Sequence, residues 1–483
     1  MITLERENMK LFDLMKERSG EFAELDITGV TCDSRNVQKG NLFVCINGAT
    51  VDGHKFAKMA YDSGAAVIIC EKDVGLPNQI FVEDSRREFA ELCEKWFGSP
   101  AKKLKLIGIT GTNGKTSVSY MVKSILEHCG HKVGLIGTIQ NMIGDEVLPS
   151  KNTTPSAYEL QSMFSLMVAS GCDHCVMEVS SHALDQNRVY GLEFEVSAFT
   201  NLTQDHLDYH ITMDNYLRAK KKLFEVSKTA VVNKDDSYFA DLVDGLKCAV
   251  KTFSCIGNDA DFIAENIRLK SDGSAFDMIS DGKIIEIKTA IGGKFTPYNA
   301  ICAGAIAVEL GIGLQDITSA FSNMTGVKGR AEVVPTGRDF TVLIDYAHTP
   351  DGLENILKTF SEVEKNRLIV LFGCGGDRDR TKRPKMGAIA MKNADYVIVT
   401  SDNPRTEDPH KIIDDILEGM KDSPVPVLVI ENRVEAIKKC VQIATTGDII
   451  VLAGKGHETY QILNSGTIHL DEREVVAEAL KEL

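Results

Sequence analysis

The sequence lacks the long apolar runs of a membrane protein. No stretch of its 483 residues approaches the roughly 18 apolar residues of a membrane-spanning helix. Residues 1–20 have charges scattered through them and no apolar core, so we do not expect a signal peptide. These absences predict a cytoplasmic protein without membrane insertion.

An excess of positive charge is also missing. The formal net charge is −15, which leaves no broad basic field to hold nucleic acid or an anionic membrane surface. Local basic pockets for phosphates remain compatible with this balance. We therefore expect no nucleic-acid partner. Small-molecule substrates and a monomer are separate expectations that do not follow from the charge.

Cysteine pairs at zinc-site spacing are missing too. The twelve cysteines are scattered, and the CxxC pair formed by Cys172 and Cys175 has no second pair at the required distance. We interpret the cysteines as reduced, mostly buried thiols, and a metal or redox role for the pair is the less favoured alternative. The length fits about three domains of an ordinary globular protein.

The most informative segment is Leu104–Ser119, LKLIGITGTNGKTSVS. An apolar run ends in a Gly-rich turn that opens onto a helix-capable segment, as in a nucleotide-phosphate loop. Gly111 and Gly114 let backbone N–H groups approach phosphate oxygens, and the helix N-terminus adds positive potential. Lys115 supplies a cation, and the Thr116 hydroxyl is suited to hold magnesium. The segment predicts nucleotide binding.

The loop departs from the usual spacing in one position. The usual phosphate-loop motif has a glycine five residues before the glycine that corresponds to Gly114, and here that position is Ile109. An ordinary Gly-rich turn is the alternative, but the strand–GTNGKT–helix order argues against it. The predicted nucleotide contacts in the loop are Gly111, Thr112, Asn113, Gly114, Lys115, Thr116 and Ser117.

The chain divides into three α/β blocks. We predict a small N-terminal α/β domain (1–100), a central phosphate-loop domain with a mainly parallel sheet (101–329), and a C-terminal doubly wound, Rossmann-like domain (330–483). A polar, alternating stretch near 262–290 predicts antiparallel strands. The main strands of the third block are predicted at Thr341–Asp345, Leu368–Phe372, Tyr396–Thr400, Val427–Ile430 and Ile449–Ala453. Each ends in a polar cluster, and ligands bind beyond such strand ends.

Two candidate cation sites lie in the central block. Glu178 ends a buried-looking strand, where an ionised carboxylate needs a partner; magnesium shared with Thr116 is favoured over a salt bridge. His206 follows the next strand within a run that includes Asp205, Asp208 and His210, which suggests a second cation. Zinc is less favoured there because no further ligand recurs at the right spacing, and an exposed surface position is the alternative for His210.

A charge run at Lys220–Lys222 lies on a predicted helix. From the pattern alone, such a run indicates a solvated face. Composition gives no reason to single out Lys220.

Nine motifs occur in an order that resembles the Mur ligase family: GTNGKT, NTTP (152–155), MEVSSHAL, the DHLDYH run, the Arg330 turn, DYAHTP, GCGGDRD, DNPRTEDP and GKGHE. The resemblance extends from Asp33-Ser34-Arg35 to GKGHE, nearly the whole chain. It is strongest to members that add the third residue of the peptidoglycan stem peptide. GTNGKT alone marks a wider superfamily that includes folylpolyglutamate synthetase. A protein using ATP hydrolysis as a binding switch is a further alternative.

The resemblance implies an ATP-dependent amide ligase in peptidoglycan precursor synthesis. ATP would phosphorylate a carboxylate, and an amine would attack the acyl phosphate. The implied catalytic residues are Lys115, Lys220 and His206, and the implied magnesium ligands are Thr116, Glu178, His206 and Lys220. In the family, the lysine matching Lys220 is carbamylated, which turns a cation into an oxygen-donor anion.

Substrate residues follow from the resemblance by position. The nucleotide contacts beyond the loop are Asn299, Arg330 and Asp345, with a helix-start role as the alternative for Asn299. Ser180 and Gln186 are equally open to capping a turn, and Cys32 is expected to contribute backbone or packing only. The implied contacts to UDP-N-acetylmuramoyl-L-alanyl-D-glutamate are Cys32, Ser34, Ala49, Thr50, Val51, Asn152, Thr153, Thr154, Ser180, Gln186 and Arg188.

The amino-acid site is the sharpest choice. Arg405 of DNPR is suited to bidentate carboxylate binding, and Glu458 of GKGHE is suited to meet an ammonium group. Meso-diaminopimelate has both groups at its far end, whereas L-lysine, the alternative substrate, lacks the distal carboxylate. Pairing with Glu407 or Asp408 in its own loop is the alternative for Arg405. The implied diaminopimelate contacts are Arg378, Asp402, Asn403, Pro404, Arg405, Gly454 and Glu458.

Overall fold

The computed structural model describes residues 8–48, 51–324, 326–421 and 425–483. The chain forms two compact units, one of residues up to Phe253 with Cys302–Ile312, the other of Ser254–Ile301 with Gly313–Leu483. The predicted contacts Ala49 and Thr50 lie outside the described residues. Within the described ranges, no helix is long and apolar enough to cross a membrane.

The first unit opens with a small α/β domain whose central strands are buried on both faces. Strands β3 to β6 are parallel and adjacent in chain order. The sequences NLFV and VIIC of two of them are fully buried, as expected for a covered parallel sheet. The elements are β1 (Met9–Lys10), α1 (Leu11–Met15), β2 (Asp26–Ile27), β3 (Gly29–Thr31), β4 (Asn41–Val44), α2 (Ala57–Asp62), β5 (Val67–Cys70), β6 (Gln79–Phe81) and α3 (Ser85–Trp96).

The same unit contains the phosphate-loop sheet. Its strand order is β10-β9-β8-β11-β7-β12-β13-β14, parallel from β8 to β14. The elements are β7 (Lys105–Thr110), α4 (Lys115–His128), β8 (Val133–Ile136), β9 (Gln140–Ile143), β10 (Glu146–Pro149), α5 (Ala157–Ala169), β11 (His174–Glu178), α6 (Ser181–Asp185), β12 (Phe194–Phe199), α7 (Leu207–His210), α8 (Met213–Glu225), β13 (Ser227–Asn233), α9 (Phe239–Val243) and β14 (Ala249–Ser254). Since β7 lies between β11 and β12, the loops after all three strands meet at one edge.

The second unit begins with the antiparallel strands expected near 262–290. They are β15 (Phe262–Leu269), β16 (Ser274–Ser280) and β17 (Lys283–Thr289). Helix α10 (Thr296–Glu309) follows and belongs to the second unit only up to Ile301, and α11 (Leu314–Ser322) lies wholly in the second unit. Buried and partly exposed residues alternate along β16, which is the pattern of a strand with one covered face.

The rest of the second unit is a doubly wound domain, as predicted. Its sheet order is β18-β19-β23-β20-β21-β22, and apolar clusters cover both faces. The elements are β18 (Glu332–Val334), β19 (Thr341–Asp345), α12 (Pro350–Ser361), β20 (Leu368–Phe372), α13 (Lys382–Asn393), β21 (Tyr396–Val399), α14 (Pro409–Leu417), β22 (Val427–Val429), α15 (Arg433–Ile443), β23 (Ile449–Ala453), β24 (Tyr460–Leu463), β25 (Gly466–His469) and α16 (Glu472–Lys481). All but the edge strand β18 run parallel in the main sheet.

The cysteines agree with their interpretation as buried thiols. No disulfide is assigned to the twelve cysteines in the described ranges, and eight of them are buried. Cys175 lies inside β11, and burial raises the pKa of its thiol. The eight buried cysteines are packing residues, whereas Cys32 is exposed.

Candidate active site

The phosphate loop adopts the predicted strand–turn–helix form. Gly111 and Gly114 have φ of 147° and 86°, and α4 begins at Lys115. A Cβ on Gly111 would lie 1.9 Å from Oγ1 of Thr200, so only glycine fits there. The Lys115 ammonium donates hydrogen bonds to the carbonyls of Gly111 (3.0 Å) and Thr112 (2.9 Å). The loop and its cation are therefore positioned together.

Asn201, which follows β12, supports the tip of the loop. Its carbonyl accepts a hydrogen bond from the backbone N–H of Thr112 at 2.8 Å, and its Oδ1 accepts one from Asn113 at 2.9 Å. Ser117 lies in the first turn of α4 and is half-buried. Asn201 was not predicted, because it is 88 residues from Asn113 of the loop in the chain and no local pattern indicates that the two are in contact.

Glu178 is completely buried at the end of β11 and fully hydrogen-bonded. Oε2 accepts bonds from the hydroxyls of Thr116 (3.0 Å) and Thr138 (2.9 Å), and Oε1 accepts one from the Thr138 N–H (2.9 Å). No salt bridge to Glu178 exists among the described residues, which removes the alternative. The contact with Thr116 joins the two predicted oxygen ligands, and Thr138 is a partner that the sequence reasoning missed.

Lys220 is buried, so the solvated face indicated by the charge run is wrong at this position. Its side chain is 1% exposed, and Nζ donates a 2.8 Å hydrogen bond to the carbonyl of Gly111. Nζ also lies 4.3 Å from the ring centroid of Tyr216. Because the helical period places Lys220 on the inner face of α8 with Tyr216, Lys221 and Lys222 are left nearer the surface. Burial, reinforced by the charge of Lys115, holds the pKa of Lys220 well below its ordinary value.

His206 is exposed and has a left-handed backbone, with φ of 53°. Nε2 lies 3.5 Å from a carboxylate oxygen of Asp205, and the imidazole makes an edge contact with His182 at 4.8 Å. The ring of Tyr216 is 6.2 Å away. Tyr216 also approaches Oγ1 of Thr112 at 3.3 Å, so it stands between His206 and the phosphate loop.

The alternative that made His210 a surface residue is wrong. The ring is buried, stacks on Tyr216 at 4.9 Å, and places Nε2 2.8 Å from the hydroxyl of Ser181. Burial, with a smaller contribution from His182, lowers the pKa of His210 to about 4. The neutral ring is therefore part of the packing between α6 and α8, while Asp208 remains exposed.

The described residues of the predicted uridine site follow neighbouring parallel strands. Cys32 and Ser34 come after β3, and Val51 comes after β4. Asp33 caps the short turn that starts at Ser34, and its carboxylate also binds Arg35 at 2.7 Å. Val51 is exposed.

The residues predicted to hold the muramoyl-dipeptide form a connected network. Thr154 Oγ1 donates to the carbonyl of Glu178 at 2.8 Å, and Arg188 donates to the carbonyl of Thr154 at 2.8 Å and to Oε1 of Gln186 at 2.8 Å. Ser180 caps α6 through the N–H of Ala183, so the capping role is real for this residue. Two more of the predicted contacts lie beside this network. The hydroxyl oxygens of Thr153 and Thr138 are 3.0 Å apart, and the carbonyl of Asn152 accepts a hydrogen bond from the hydroxyl of Ser150 at 3.1 Å.

Arg86 is a cation that the sequence reasoning missed. It lies in the first turn of α3 and donates to the carbonyl of Asn47 at 2.8 Å. Burial lowers the pKa of Arg188, and the charge of Arg86 lowers it further. Asp84, which caps the start of α3, accepts a hydrogen bond from the side chain of Asn187 at 3.3 Å, so the helix start that carries Arg86 lies against the segment that carries Arg188. The sequence did contain a signal for Arg86. A positive charge in the first turn of a helix is unfavourable because it opposes the helix dipole, so an arginine at this position indicates a role other than helix stabilisation.

In the second unit, Asp345 ends β19 and accepts two backbone hydrogen bonds. They come from Ala331 (2.7 Å) and Ala347 (2.9 Å). Burial raises the pKa of Asp345, although the nearby charge of Arg330 opposes this. The guanidinium of Arg330 lies over the ring of Tyr346 at 5.5 Å. Asn299 lies in the first turn of α10 and donates its N–H to Phe295.

The DNPR and GKGHE loops meet beyond the ends of β21 and β23. Buried Lys455 donates to Oδ1 of Asn403 at 2.7 Å and lies 3.1 Å from Oε2 of Glu458 and 3.4 Å from Oδ1 of Asp402. Asn403 in turn donates to Glu458 at 3.0 Å. A Cβ on Gly454 would lie 2.7 Å from Oδ2 of Asp402, so the glycine permits this approach. Lys455 was not predicted, because lysines are usually exposed.

Arg405 does not pair with the acids of its own loop. Nη1 donates to the carbonyls of Gly376 (2.8 Å) and Asn403 (3.4 Å), and its backbone φ is 54°. Glu407 instead binds Arg383, and Asp408 caps α14. The alternative for Arg405 is therefore wrong, and no ion pair of its guanidinium exists among the described residues. The other two predicted contacts of this region differ in exposure: Pro404 is buried, and Arg378 is exposed with Nη1 on the carbonyl of Asp377.

A second buried pair supports the two loops from behind. Arg433 and Glu472 are both fully buried and lie 2.8 Å apart. Arg433 also donates to the carbonyl of Ala453 at 2.8 Å, immediately before Gly454. This support was not predicted, because it joins α15 and α16 to the end of β23.

Comparison with known proteins identifies the family. Residues 109–307 match the Mur ligase middle domain, 329–456 match the Mur ligase glutamate ligase domain, and 26–92 match the Mur ligase family catalytic domain. A Clostridium acetobutylicum protein named UDP-N-acetylmuramoyl-L-alanyl-D-glutamate--2,6-diaminopimelate ligase 1 is 49% identical over 95% of this chain and 96% of its own length. The chain belongs to the Mur ligase family. A relative with the same ligase name from Caldanaerobacter subterraneus is 47% identical over 98% of this chain and 99% of its own.

Solved structures agree with the Mur ligase assignment. One titled as a UDP-N-acetylmuramoyl-L-alanyl-D-glutamate--2,6-diaminopimelate ligase superposes with a TM-score of 0.75 at 32% identity and covers 99% of both chains. A folylpolyglutamate synthase of Mycobacterium tuberculosis has a TM-score of 0.60 at 19% identity over 75% of this chain, which shows a shared fold alone. The three-domain α/β fold and the ligase class predicted from the motifs are confirmed, and the non-ligating switch is wrong.

Proposed function

We propose that this Mur ligase adds meso-diaminopimelate to UDP-N-acetylmuramoyl-L-alanyl-D-glutamate, with cleavage of ATP to ADP and phosphate. The arrangement around Arg405 carries the proposal: a guanidinium oriented by backbone carbonyls lies in a region that also holds the Glu458 carboxylate. The domain limits at 100 and 329, a cytoplasmic location and a monomer are part of the same proposal.

The reaction proceeds by activating the substrate carboxylate. A carboxylate oxygen attacks the γ-phosphorus of ATP, the bond to the β-phosphate oxygen breaks, and ADP leaves. The amine of the incoming amino acid then attacks the acyl carbon, phosphate leaves, and the nitrogen loses a proton. Both steps bring anions together, so the chain contributes mainly positioning and positive charge. Lys115 and the N-terminus of α4 supply that charge beside the loop.

The residues around Glu178 fit a magnesium ion. The Thr116 hydroxyl and the Glu178 carboxylate are adjacent oxygen donors at the start of the phosphate-loop helix, and magnesium prefers such ligands together with phosphate oxygens. When bound, the ion neutralises phosphate charge. His206 and a carbamylated Lys220 are the proposed ligands of a second ion.

The environment of Lys220 supports carbamylation. Carbon dioxide reacts with a neutral amine, and burial together with the charge of Lys115 lowers the pKa of this amine. The amine has a hydrogen-bond partner in the Gly111 carbonyl but no carboxylate ion-pair partner among the described residues. Conversion to a carbamate would place an anion with two oxygen donors beside the phosphate loop.

The substrate nucleotide is proposed to lie along the strand ends of the first unit. Ser34 and Val51 are assigned to the uridine end, and Arg188 to an anionic group of the substrate. Arg86 joins this set because its charge acts on Arg188. Two nearby guanidinium groups in a chain of net charge −15 suit a diphosphate.

The test is a direct comparison of amino-acid substrates. The purified full chain is incubated with ATP, magnesium and UDP-N-acetylmuramoyl-L-alanyl-D-glutamate, and amide product is measured by mass spectrometry alongside phosphate release. We expect efficient product formation with meso-diaminopimelate and weak formation with L-lysine. The reverse preference would overturn the amino-acid assignment, and ligation of glutamate to a folate would overturn the acceptor assignment.

A further inference from the structure

A compact group of three side chains lies at the sheet edge opposite the phosphate loop. His131 is in the turn between α4 and β8, and Asp173 and His174 are at the start of β11. Strand β11 pairs His174 with Lys105 and Glu178 with Ile109 along β7. Four residues of strand separate the two ends by about 13 Å. The group therefore lies outside the proposed ligase site.

Both imidazoles face the same carboxylate. Nδ1 of His131 lies 2.7 Å from Oδ2 of Asp173, and Nδ1 of His174 lies 3.0 Å from Oδ1. The ring centroids are 4.4 Å apart. The ligand atoms of all three residues lie within 4.8 Å of one another. One cation can therefore reach the three atoms at once.

The spacing is close to that of a tetrahedral metal site. Zinc bonds to imidazole nitrogen and carboxylate oxygen are about 2.0–2.2 Å long, which places neighbouring ligand atoms about 3.4 Å apart. The nitrogen–oxygen separation of 2.7 Å at His131 would have to widen by about 0.7 Å, and that of 3.0 Å at His174 by about 0.4 Å. This is feasible because the Asp173 side chain is 50% exposed and that of His131 is 33% exposed.

The backbone already holds the two turns in register. The N–H of Asp173 donates to the carbonyl of Lys132 at 3.0 Å, and the N–H of Lys105 donates to the carbonyl of Asp173 at 2.9 Å. Asp173 is thus anchored from both sides before any ligand binds. Such preorganisation lowers the entropic cost of assembling a site.

His174 provides a separate indication of a missing partner. Its side chain is 3% exposed, and Nδ1 is a buried atom with no hydrogen-bond partner in the structure. The 3.0 Å contact with Asp173 lacks the alignment of a hydrogen bond. Buried polar atoms are nearly always satisfied, so an orphan aimed into a cluster of metal-ligating groups needs an explanation.

We propose that His131, Asp173 and His174 bind a zinc ion, with water as the fourth ligand. Two nitrogen donors favour zinc over magnesium and calcium, which prefer oxygen. The ion would fasten the turn that follows the phosphate-loop helix α4 to the start of β11. Its effect is on the stability of this end of the sheet. The proposal is independent of which amino acid the ligase uses.

The test uses the full-length chain and zinc or cobalt(II) alone. We expect one zinc ion to bind at this site in titration calorimetry, and cobalt(II) to give the visible absorption of a tetrahedral complex. His131→Ala and Asp173→Asn should weaken this binding at least about tenfold and abolish the cobalt spectrum. Asp173 is exposed and His131 is partly exposed, so both changes avoid the folding risk of replacing buried His174.

His128→Ala is the matched control, because His128 is an exposed histidine at the end of α4, three residues before His131. It should bind zinc as the wild type does. Zinc should also raise the thermal unfolding temperature of the wild type and of His128→Ala, but not of His131→Ala. Equal zinc affinity and stabilisation in wild type, His131→Ala and Asp173→Asn would overturn the proposal. Loss of binding only in His206→Ala would overturn it as well and place the ion near the phosphate loop.

Discussion

Nζ of Lys220 donates a 2.8 Å hydrogen bond to the carbonyl oxygen of Gly111, the first residue of the GTNGKT loop. The two residues are 109 positions apart in the chain, yet the contact places a buried amine directly beneath the phosphate loop. Because burial holds the pKa of this amine well below its ordinary value, it is available as a neutral nucleophile for carbon dioxide. The contact thus links the nucleotide site to the proposed carbamate.

Lys220→Ala should lower the ligation rate by at least about 100-fold, the scale on which loss of one preorganised electrostatic group acts. Short carboxylic acids added to the assay should restore part of the activity by replacing the carbamate oxygens. Initial rates of amide formation with and without acetate or formate are the measurement. Lys221→Ala is the control, since Lys221 binds backbone carbonyls at the surface, and it should retain activity. Full activity in Lys220→Ala would contradict the assigned role.

Arg405→Ala should raise KM for meso-diaminopimelate about 10- to 100-fold, because a charge-assisted hydrogen bond to a carboxylate contributes about 1.5–3 kcal/mol. KM for ATP should change little. Steady-state kinetics with each substrate varied in turn distinguish the two effects. Arg338→Ala removes an exposed arginine of the same domain and serves as the control. Equal increases in both KM values would point to general disruption of the domain.

The third domain shows how far the sequence patterns reach. Strands β19, β20 and β23 have the predicted limits, since each is a short apolar run bounded by polar residues. The polar clusters after them were correctly placed at one sheet edge by the rule for parallel strands. The helical period places Lys220 on the same face as Tyr216, but the sequence does not show which face of α8 is buried, because that depends on distant residues such as Gly111. The burial of Lys455 likewise depends on a distant partner, Asn403. The hairpin of β9 and β10, at the edge of the parallel sheet, was also missed.

Arg86→Ala should raise KM for the UDP-linked substrate about tenfold, with little effect on the KM of meso-diaminopimelate. The reason is the nearness of its guanidinium to Arg188. Arg87→Ala is the matched control, because the neighbouring Arg87 is exposed and pairs with Asp84 at 3.2 Å. Substrate titrations at saturating ATP provide the measurement. An unchanged KM in Arg86→Ala, or an equal rise in both variants, would remove Arg86 from the substrate site.

Glu472→Ala should weaken the C-terminal domain strongly. It leaves the fully buried Arg433 guanidinium without its carboxylate, and breaking such a pair typically costs about 3–5 kcal/mol. Hydrogen exchange of peptides from α16 and β23 measures the loss locally. Glu474→Ala, which removes an exposed partner of His469, should change protection by less than about 0.5 kcal/mol. Equal protection in the two variants would show that the buried pair contributes little.

The stability of the first unit should fall between pH 7 and pH 5, in part because of His210. Its folded pKa is about 4, whereas an unfolded histidine titrates near 6.5, so the unfolded chain binds the proton more readily. The stability that neutral His210 contributes is therefore complete above the unfolded pKa and is lost as the pH falls towards 4. At pH 5 the loss amounts to about 2 kcal/mol.

Urea unfolding followed by fluorescence reports on this unit, because the chain has one tryptophan, Trp96, and it is buried there. His210→Gln should lose about 2 kcal/mol less stability than the wild type between pH 7 and pH 5, since glutamine has no proton to bind in this range. His410→Gln, at an exposed histidine, should match the wild-type pH dependence. If His210→Gln follows the wild-type curve, the ring is protonated in the folded protein at pH 5, and its packing against Tyr216 tolerates the charge.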